Sequence, residues 1–344
     1  MKDYGMIYEE LMVLYKRILA YDRGAQDEIY VEEIDGFDEI RVGICRNGVA
    51  VVLPAAEGSS EPISTDFLNV AFSLRCSIAT SNSAESSFQK ICLVELKTRE
   101  DSKVEVFFSI ISLLLIRAQY LEKFDIKKFI SELVELFSIG TLDSDQDIDG
   151  VFGELVFIFV SINPAQSIAA WRNSSGDRYD FSFGAKSVEV KTSLGVRKHN
   201  FSMSQLSPVV GIDCYVASIQ AQVDSSGTSV SELVNLILRR IGSLGDGFEK
   251  KFARNIGKSW RLATEKKYDL VSTFKSLRIY SLDSIPKILD YDDGVSEIRF
   301  VSDLQSIASV DLSGVSGCDE FLIGLLVDDI GAEGCLDVSP EAFG

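Results

Sequence analysis

The stretch from Arg178 to Lys191 restricts the fold of this chain most tightly. Tyr179, Phe181 and Phe183 alternate with Arg178, Asp180 and Ser182, and Val188 and Val190 alternate with Glu189 and Lys191. Alternation with period two predicts two half-buried strands. Gly184-Ala185 lies between them, and glycine at the first central position suits a two-residue type II′ turn. That turn sets a register: Phe183 opposite Lys186, Ser182 opposite Ser187, Phe181 opposite Val188, and Asp180 opposite Glu189. Directly opposed residues share a face, with Cβ atoms roughly 4.5–5.5 Å apart. Phe181 and Val188 therefore meet on the core side, with Tyr179 and Phe183, and Asp180, Glu189 and Lys191 gather on the open side. A slip by one residue would bury two carboxylates and a lysine, so the apolar pattern defends the register.

Two adjacent carboxylates repel each other, which raises one pKa and costs stability. A hard divalent cation relieves this, and Mg²⁺ is commonly held by one or two carboxylates plus waters. A lysine two residues further along the face can meet an attacking water or a phosphate. The residue types and their spacing thus predict a metal-assisted phosphodiester-cleaving site.

Asp180 followed by Glu189-Val190-Lys191 resembles the signature of the PD-(D/E)XK nucleases. Gly150 to Leu155 resembles the helix that carries that family's additional acid, here Glu154. Ser204-Gln205-Leu206 resembles the segment with its supporting glutamine, here Gln205. Tyr179 stands where the motif has proline, which is often absent. The resemblance covers about residues 150–206 and is nearest to a bacterial group found with restriction and phage-defence genes. It implies Asp180, Glu189, Lys191 and Glu154 as catalytic residues. It also implies Mg²⁺ or Mn²⁺ held by Asp180, Glu189, the Val190 carbonyl and Glu154. Glu154 has another reading as well: a carboxylate in the first turn of a helix is favoured by the helix N-terminus.

Composition bounds the alternatives. The chain has 344 residues, 46% hydrophobic and 25% charged, which is globular and long enough for two domains. Its start has neither a basic n-region nor an apolar h-region, so no signal peptide is expected. The apolar run from Val104 to Ile116 is too short to span a bilayer. Six scattered cysteines without a C-x-x-C pair, and a single histidine, provide no zinc site of the usual spacing. The expectation is a cytoplasmic chain with free thiols and no membrane partner.

The net charge of −18 counts against a nucleic-acid binder, but the charge is uneven. Arg239 to Arg278 holds eleven basic and four acidic residues, and Ile279 to Gly344 holds fourteen acidic and two basic ones. Arg178, Lys198, His199, Lys250, Lys251 and Arg254 are the candidates for contact with a substrate phosphate. The basic segment has a second reading, a solvated helical face with some charges paired to the tail.

The predicted architecture is α+β. A small antiparallel α+β domain over residues 1–100 begins with a helix from Tyr4 to Ala20, followed by short strands over 28–53, 67–77 and 88–97. A restriction-endonuclease-like αβββαβ domain with an acidic C-terminal segment follows over 101–344, the helices 104–119 and 126–138 leading into it. Glu95-Leu96-Lys97 repeats the Glu-x-Lys pattern but has no aspartate in the preceding twenty residues, and reads as a strand end. The alternate aspartates 143, 145, 147 and 149 read as a solvated loop, with Asp149 capping a helix over 151–162. Later elements are a short helix from Pro164, strands over 215–223 and 276–282, and helices over 230–241 and 248–255. Runs at 295–301 and 321–327 are strand-like.

The function this predicts is a Mg²⁺-dependent DNA endonuclease of a restriction or phage-defence system. Target choice would fall to protein partners from the same operon, and an oligomer is compatible. The alternatives are a catalytically silent scaffold or DNA clamp, and an RNase on the same site.

Overall fold

The computed structural model describes residues 2–21, 28–37, 39–45, 48–56, 61–80, 87–119, 124–140, 147–172, 176–207, 209–242, 247–256, 259–290, 292 and 294–310. The fold is α+β, in two compact units, Met1–Ser144 and Asp145–Gly344. The strand-like run 321–327, most of the acidic tail, Asp143, Asp145, Cys318 and Cys335 lie outside the described residues.

The first unit contains α1 (Tyr4–Tyr21), β1 (Glu28–Glu33), β2 (Arg41–Ile44), β3 (Val49–Pro54), β4 (Ile63–Ser64), β5 (Leu68–Thr80), β6 (Ser87–Leu96), α2 (Asp101–Ala118) and α3 (Ile126–Gly140). Its strands run in the order β1-β2-β3-β6-β5-β4, and β1 also pairs with β5. Five strands thereby close into a ring. A ring with an odd number of strands cannot be antiparallel throughout, and β1–β5 is the parallel pair. Ile29, Val31, Val52, Ile78, Ile91 and Leu93 pack together in its core. Helices α2 and α3 were expected to lead into the second domain from residue 101. They instead pack within the first unit, where Phe107 of α2 meets Phe137 of α3 edge-on at 5.9 Å. The Glu95 side chain accepts a hydrogen bond from Asn69, and Lys97 anchors a turn through the Thr65 carbonyl at 2.6 Å.

The second unit contains α4 (Ile148–Val160), α5 (Pro164–Ala170), β7 (Phe181–Ser182), β8 (Lys186–Ser193), β9 (Lys198–Ser202), α6 (Met203–Leu206), β10 (Asp213–Gln220), β11 (Val223–Ser229), α7 (Val230–Ile241), α8 (Phe248–Ile256), α9 (Trp260–Glu265), β12 (Lys267–Tyr268), α10 (Leu270–Lys275), β13 (Arg278–Ser281) and β14 (Arg299–Asp303). Its main sheet has the order β13-β10-β8-β7. Strand β8 is antiparallel to β7 and parallel to β10, and β10 is antiparallel to β13. Without the small inserted elements, α4-β7-β8-β10-α7-β13 is the expected αβββαβ order. The strand-like run near 295–301 becomes β14, which pairs with β9.

The hairpin register is the expected one: Phe181 pairs with Val188 and Ser182 with Ser187. Gly184 has φ +76°, as the first central residue of a type II′ turn requires. Strand β7 is shorter than the alternation predicts. Phe181 meets Phe157 of α4 at 4.7 Å. Tyr179 instead joins Phe201, Leu206, Cys214, Val216 and Tyr280, in a separate cluster. Cys214 and Val216 pair with Ser187 and Glu189, so Tyr179 belongs to the Glu189 side, and the strict alternation breaks at Asp180.

Candidate active site

Glu154 is a carboxylate on an otherwise apolar helix, and a buried charge needs donors. It finds two. Trp171 Nε1 donates to Glu154 Oε2 at 2.6 Å, and Arg172 donates to Glu154 Oε1 at 2.7 Å. The same guanidinium lies 3.3 Å from Asp180 Oδ1. Asp180 Oδ2 accepts from the Val190 backbone N–H at 2.8 Å, where a further ladder pair would otherwise form. One residue before Val190, Glu189 Oε1 lies 2.8 Å from Lys191 Nζ and accepts from the Gln205 amide. Gln205 Oε1 in turn faces Lys191 Nζ at 3.5 Å. Glu154, Asp180, Glu189, Lys191 and Gln205 thus come together in one connected group, with Arg172 as an added member.

Local sequence explains the placement. Helix α4 lies close on β8 because Gly153 has no side chain: a Cβ there would sit 1.9 Å from Thr192 Oγ1. Its N-cap is Asp147, which accepts from the Asp149 N–H, whereas Asp149 pairs with Lys266. Gln205 is fixed by a capping box in which Ser202 accepts from the Gln205 N–H and the Gln205 side chain accepts from the Ser202 N–H. That Ser-x-x-Gln spacing is a local signal for its orientation. Arg172 was not singled out from the sequence, yet it is the first basic residue after Glu154. Trp171 is both fully buried and a donor to Glu154.

The face expected to be open is closed. Glu154, Asp180 and Glu189 are 4%, 5% and 4% exposed. Burial, then the Asp180 charge, push the Glu189 carboxyl up to about 7. Burial and Asp180 also hold Glu154 well above its ordinary range, against the pull of Arg172 and Trp171. Asp180 is raised by burial and held back by Arg172 and the Val190 N–H. Burial would lower the Arg172 pKa, but Glu154, Asp180 and Glu189 together raise it. Three carboxyl groups thus face two cationic side chains, and burial raises the pKa of all three. All-oxygen donors in that setting fit one hard divalent cation. Among the described residues, no group of three or more His, Cys, Asp or Glu side chains is arranged to hold a metal. Glu154 is turned to Trp171 and Arg172.

The other residues singled out from the sequence lie elsewhere. Arg178 is exposed, donates to the Ser207 carbonyl and covers the Tyr179 ring at 5.3 Å. Lys198 pairs with Asp303 at 3.4 Å. His199 is 3% exposed and hydrogen-bonded to Ser218 Oγ at 2.6 Å. Burial, with Arg197 and Lys191 nearby, lowers its pKa to about 4, so the ring is neutral at pH 7. In the basic segment, Lys251 donates to the carbonyls of Ile168, Ala169 and Trp171 at 2.7–2.8 Å, closing the end of α5. Lys267 pairs with Glu232 at 3.0 Å, and Arg240 donates to the Phe159 carbonyl. Lys250 and Arg254 are half-buried on α8. Much of the segment's charge therefore serves the fold. Among the described residues, no helix is long and apolar enough to cross a membrane.

Comparison with known proteins yields one family. The model described as "Putative PD-(D/E)XK family member, (DUF4420)" matches residues 34–305. No curated protein and no solved structure matches the chain. The match takes in most of both compact units as well as Asp180 and Glu189-Val190-Lys191, and the chain belongs to this PD-(D/E)XK family.

Proposed function

We propose that this chain is a metal-dependent phosphodiesterase acting on DNA, a Mg²⁺-dependent endonuclease of a restriction or phage-defence system. The observation that carries the reading is the buried junction of Asp180, Glu189 and Lys191, held in register by the β7–β8 hairpin. Asp180, Glu189 and the Val190 carbonyl would hold Mg²⁺ or Mn²⁺, with Glu154 in support through Arg172. Bound there, the cation would supply a Lewis acid for the phosphoryl oxygen and lower the pKa of an attacking water.

The chain's own residues do the rest. Lys191 presents an ammonium beside the carboxylates, where it can stabilise the charge that develops on a phosphate under attack. Gln205 is a positioning residue, holding the Glu189 carboxylate with its amide and steadying Lys191 with its oxygen. The Val190 N–H fixes the Asp180 carboxylate. Neutral His199 contributes no charge to the reaction. With a net charge of −18, target choice is assigned to a protein partner.

One observation favours a second reading, a silent scaffold or clamp: both oxygens of Glu154 and of Asp180 already have a donor or a cation beside them. Cleavage assays on supercoiled, linear, methylated and single-stranded DNA and on RNA, each with Mg²⁺ or Mn²⁺, decide between the readings. DNA cleavage is expected. Cleavage of RNA alone would reassign the substrate, and no cleavage of any substrate would favour the clamp.

A further inference from the structure

Arg172 is a cation that the site already contains, beside Glu154 and Asp180. Its guanidinium reaches Glu154 with one arm at 2.7 Å and Asp180 with the other at 3.3 Å. The third nitrogen, Nε, donates to Asn255 Oδ1 on α8 at 2.9 Å, so the group is tethered on a third side. The side chain is mostly covered, at 25% exposed. Backbone geometry holds it as well: the Arg172 N–H donates to the Asp180 carbonyl at 2.7 Å, and Trp171 forms a bridge with Phe181. The residue is thus stitched to the start of β7, beside the aspartate it neutralises.

From this geometry we infer that Arg172 is a built-in counter-ion occupying the Glu154–Asp180 side of the site, so that the protein offers one divalent-cation position, at Asp180 and Glu189. The inference rests on the metal-dependent reading above and deepens it. Glu154 Oε2 is taken by Trp171 and Oε1 by Arg172. Glu154 is held by two short hydrogen bonds from side-chain donors, one of them charged, whereas Asp180 accepts from the Val190 N–H and lies 3.3 Å from the guanidinium, so Glu154 is the more committed of the two. Glu189 is different: Lys191 and Gln205 both meet Oε1, which leaves Oε2 for a ligand. A guanidinium against both Glu154 and Asp180 also places a positive charge beside these two carboxyl groups, and like charges in a buried site repel strongly, so it would disfavour a second cation there. Glu154 then acts through Arg172, as a positioning residue.

The test is Mn²⁺ binding to the full chain without nucleic acid, followed by calorimetry and by the paramagnetic signal of free Mn²⁺. The wild type should bind one equivalent. Arg172→Gln removes the counter-ion, and it should bind Mn²⁺ at least about tenfold more tightly or take up a second equivalent. Arg172→Lys keeps a charge there and should remain a one-site protein with affinity within about threefold of wild type. Two equivalents on the wild type would overturn the inference even if Arg172→Gln fails to fold. Unchanged or weaker single-site binding by a folded Arg172→Gln would overturn it too, and the nuclease reading would stand. No binding by either protein would overturn both the inference and the metal-dependent reading. One-site binding with the expected Arg172→Gln gain, but no cleavage of any nucleic acid, would uphold the inference and sink the nuclease reading.

Discussion

Lys191 Nζ lies 2.8 Å from Glu189 Oε1, two residues further along the same strand face. The pair ties the candidate charge-stabilising group to a candidate metal ligand. Lys191→Met keeps the length of the side chain and removes the charge. Cleavage should fall by about 10²–10³-fold, the loss typical of removing one group that stabilises transition-state charge. Mn²⁺ binding should persist. Cleavage within threefold of wild type would remove Lys191 from the mechanism.

Gly153 is where α4 meets β8. In Gly153→Ala the new methyl would overlap Thr192 Oγ1, and overpacking of this kind costs about 1–3 kcal/mol. Thr192→Ala should recover most of that loss when combined with it. Denaturant midpoints of the two single variants and the double variant check this, and additive losses would show that the contact does not set the helix position.

His199 is the chain's one histidine, so its ring gives an unambiguous NMR titration. The midpoint should lie near 4 rather than 6.5, because the ring is buried and faces Arg197 and Lys191. A folded-state pKa below the unfolded value means that His199 contributes stability above about pH 6.5, lost as the pH falls toward 4. A midpoint at 6.5 or above would mean that the ring is open to solvent and available to a phosphate.

Glu189 works in the opposite direction. Its folded-state pKa of about 7 exceeds the ordinary 4.5, so the folded chain holds that proton more tightly than the unfolded chain does. Metal-free stability from this group is present below 4.5 and declines as the pH rises through about 7. Each unit of difference corresponds to about 1.4 kcal/mol. Glu189→Gln should flatten the decline, and Mn²⁺ should offset it for the wild type at pH 8. Equal pH profiles for wild type and Glu189→Gln in chelator would contradict this electrostatic account.

The parts of the site legible in the sequence are those set by local rules. Gly184 fixes the turn, alternation fixes Phe181 opposite Val188, and Ser202 with Gln205 form a capping box within four residues. What escaped depends on distant contacts. Arg172 reaches Asn255, and Lys251 spans to the end of α5, across separations of eighty residues or more. Such partners leave no periodic trace, so Lys251 read as a candidate phosphate contact. Burial of the Glu189 face was missed for a related reason. Period two predicts one wet face, but β9, α6 and the Tyr179 cluster cover it. The domain boundary was expected at residue 100 because the strands end there, whereas α2 and α3 pack within the first unit, which ends at Ser144.

The most direct test of the central claim is cleavage of supercoiled DNA by wild type and Asp180→Asn, with Mg²⁺, with Mn²⁺ and with chelator. Asp180→Asn keeps the shape of the side chain but removes the charge that faces Arg172 and the proposed cation. The account predicts nicked or linear product from the wild type only when a divalent ion is present, with Asp180→Asn slower by about 10³-fold or more. Cleavage in chelator at the same rate, or an Asp180→Asn variant as active as wild type, would contradict it.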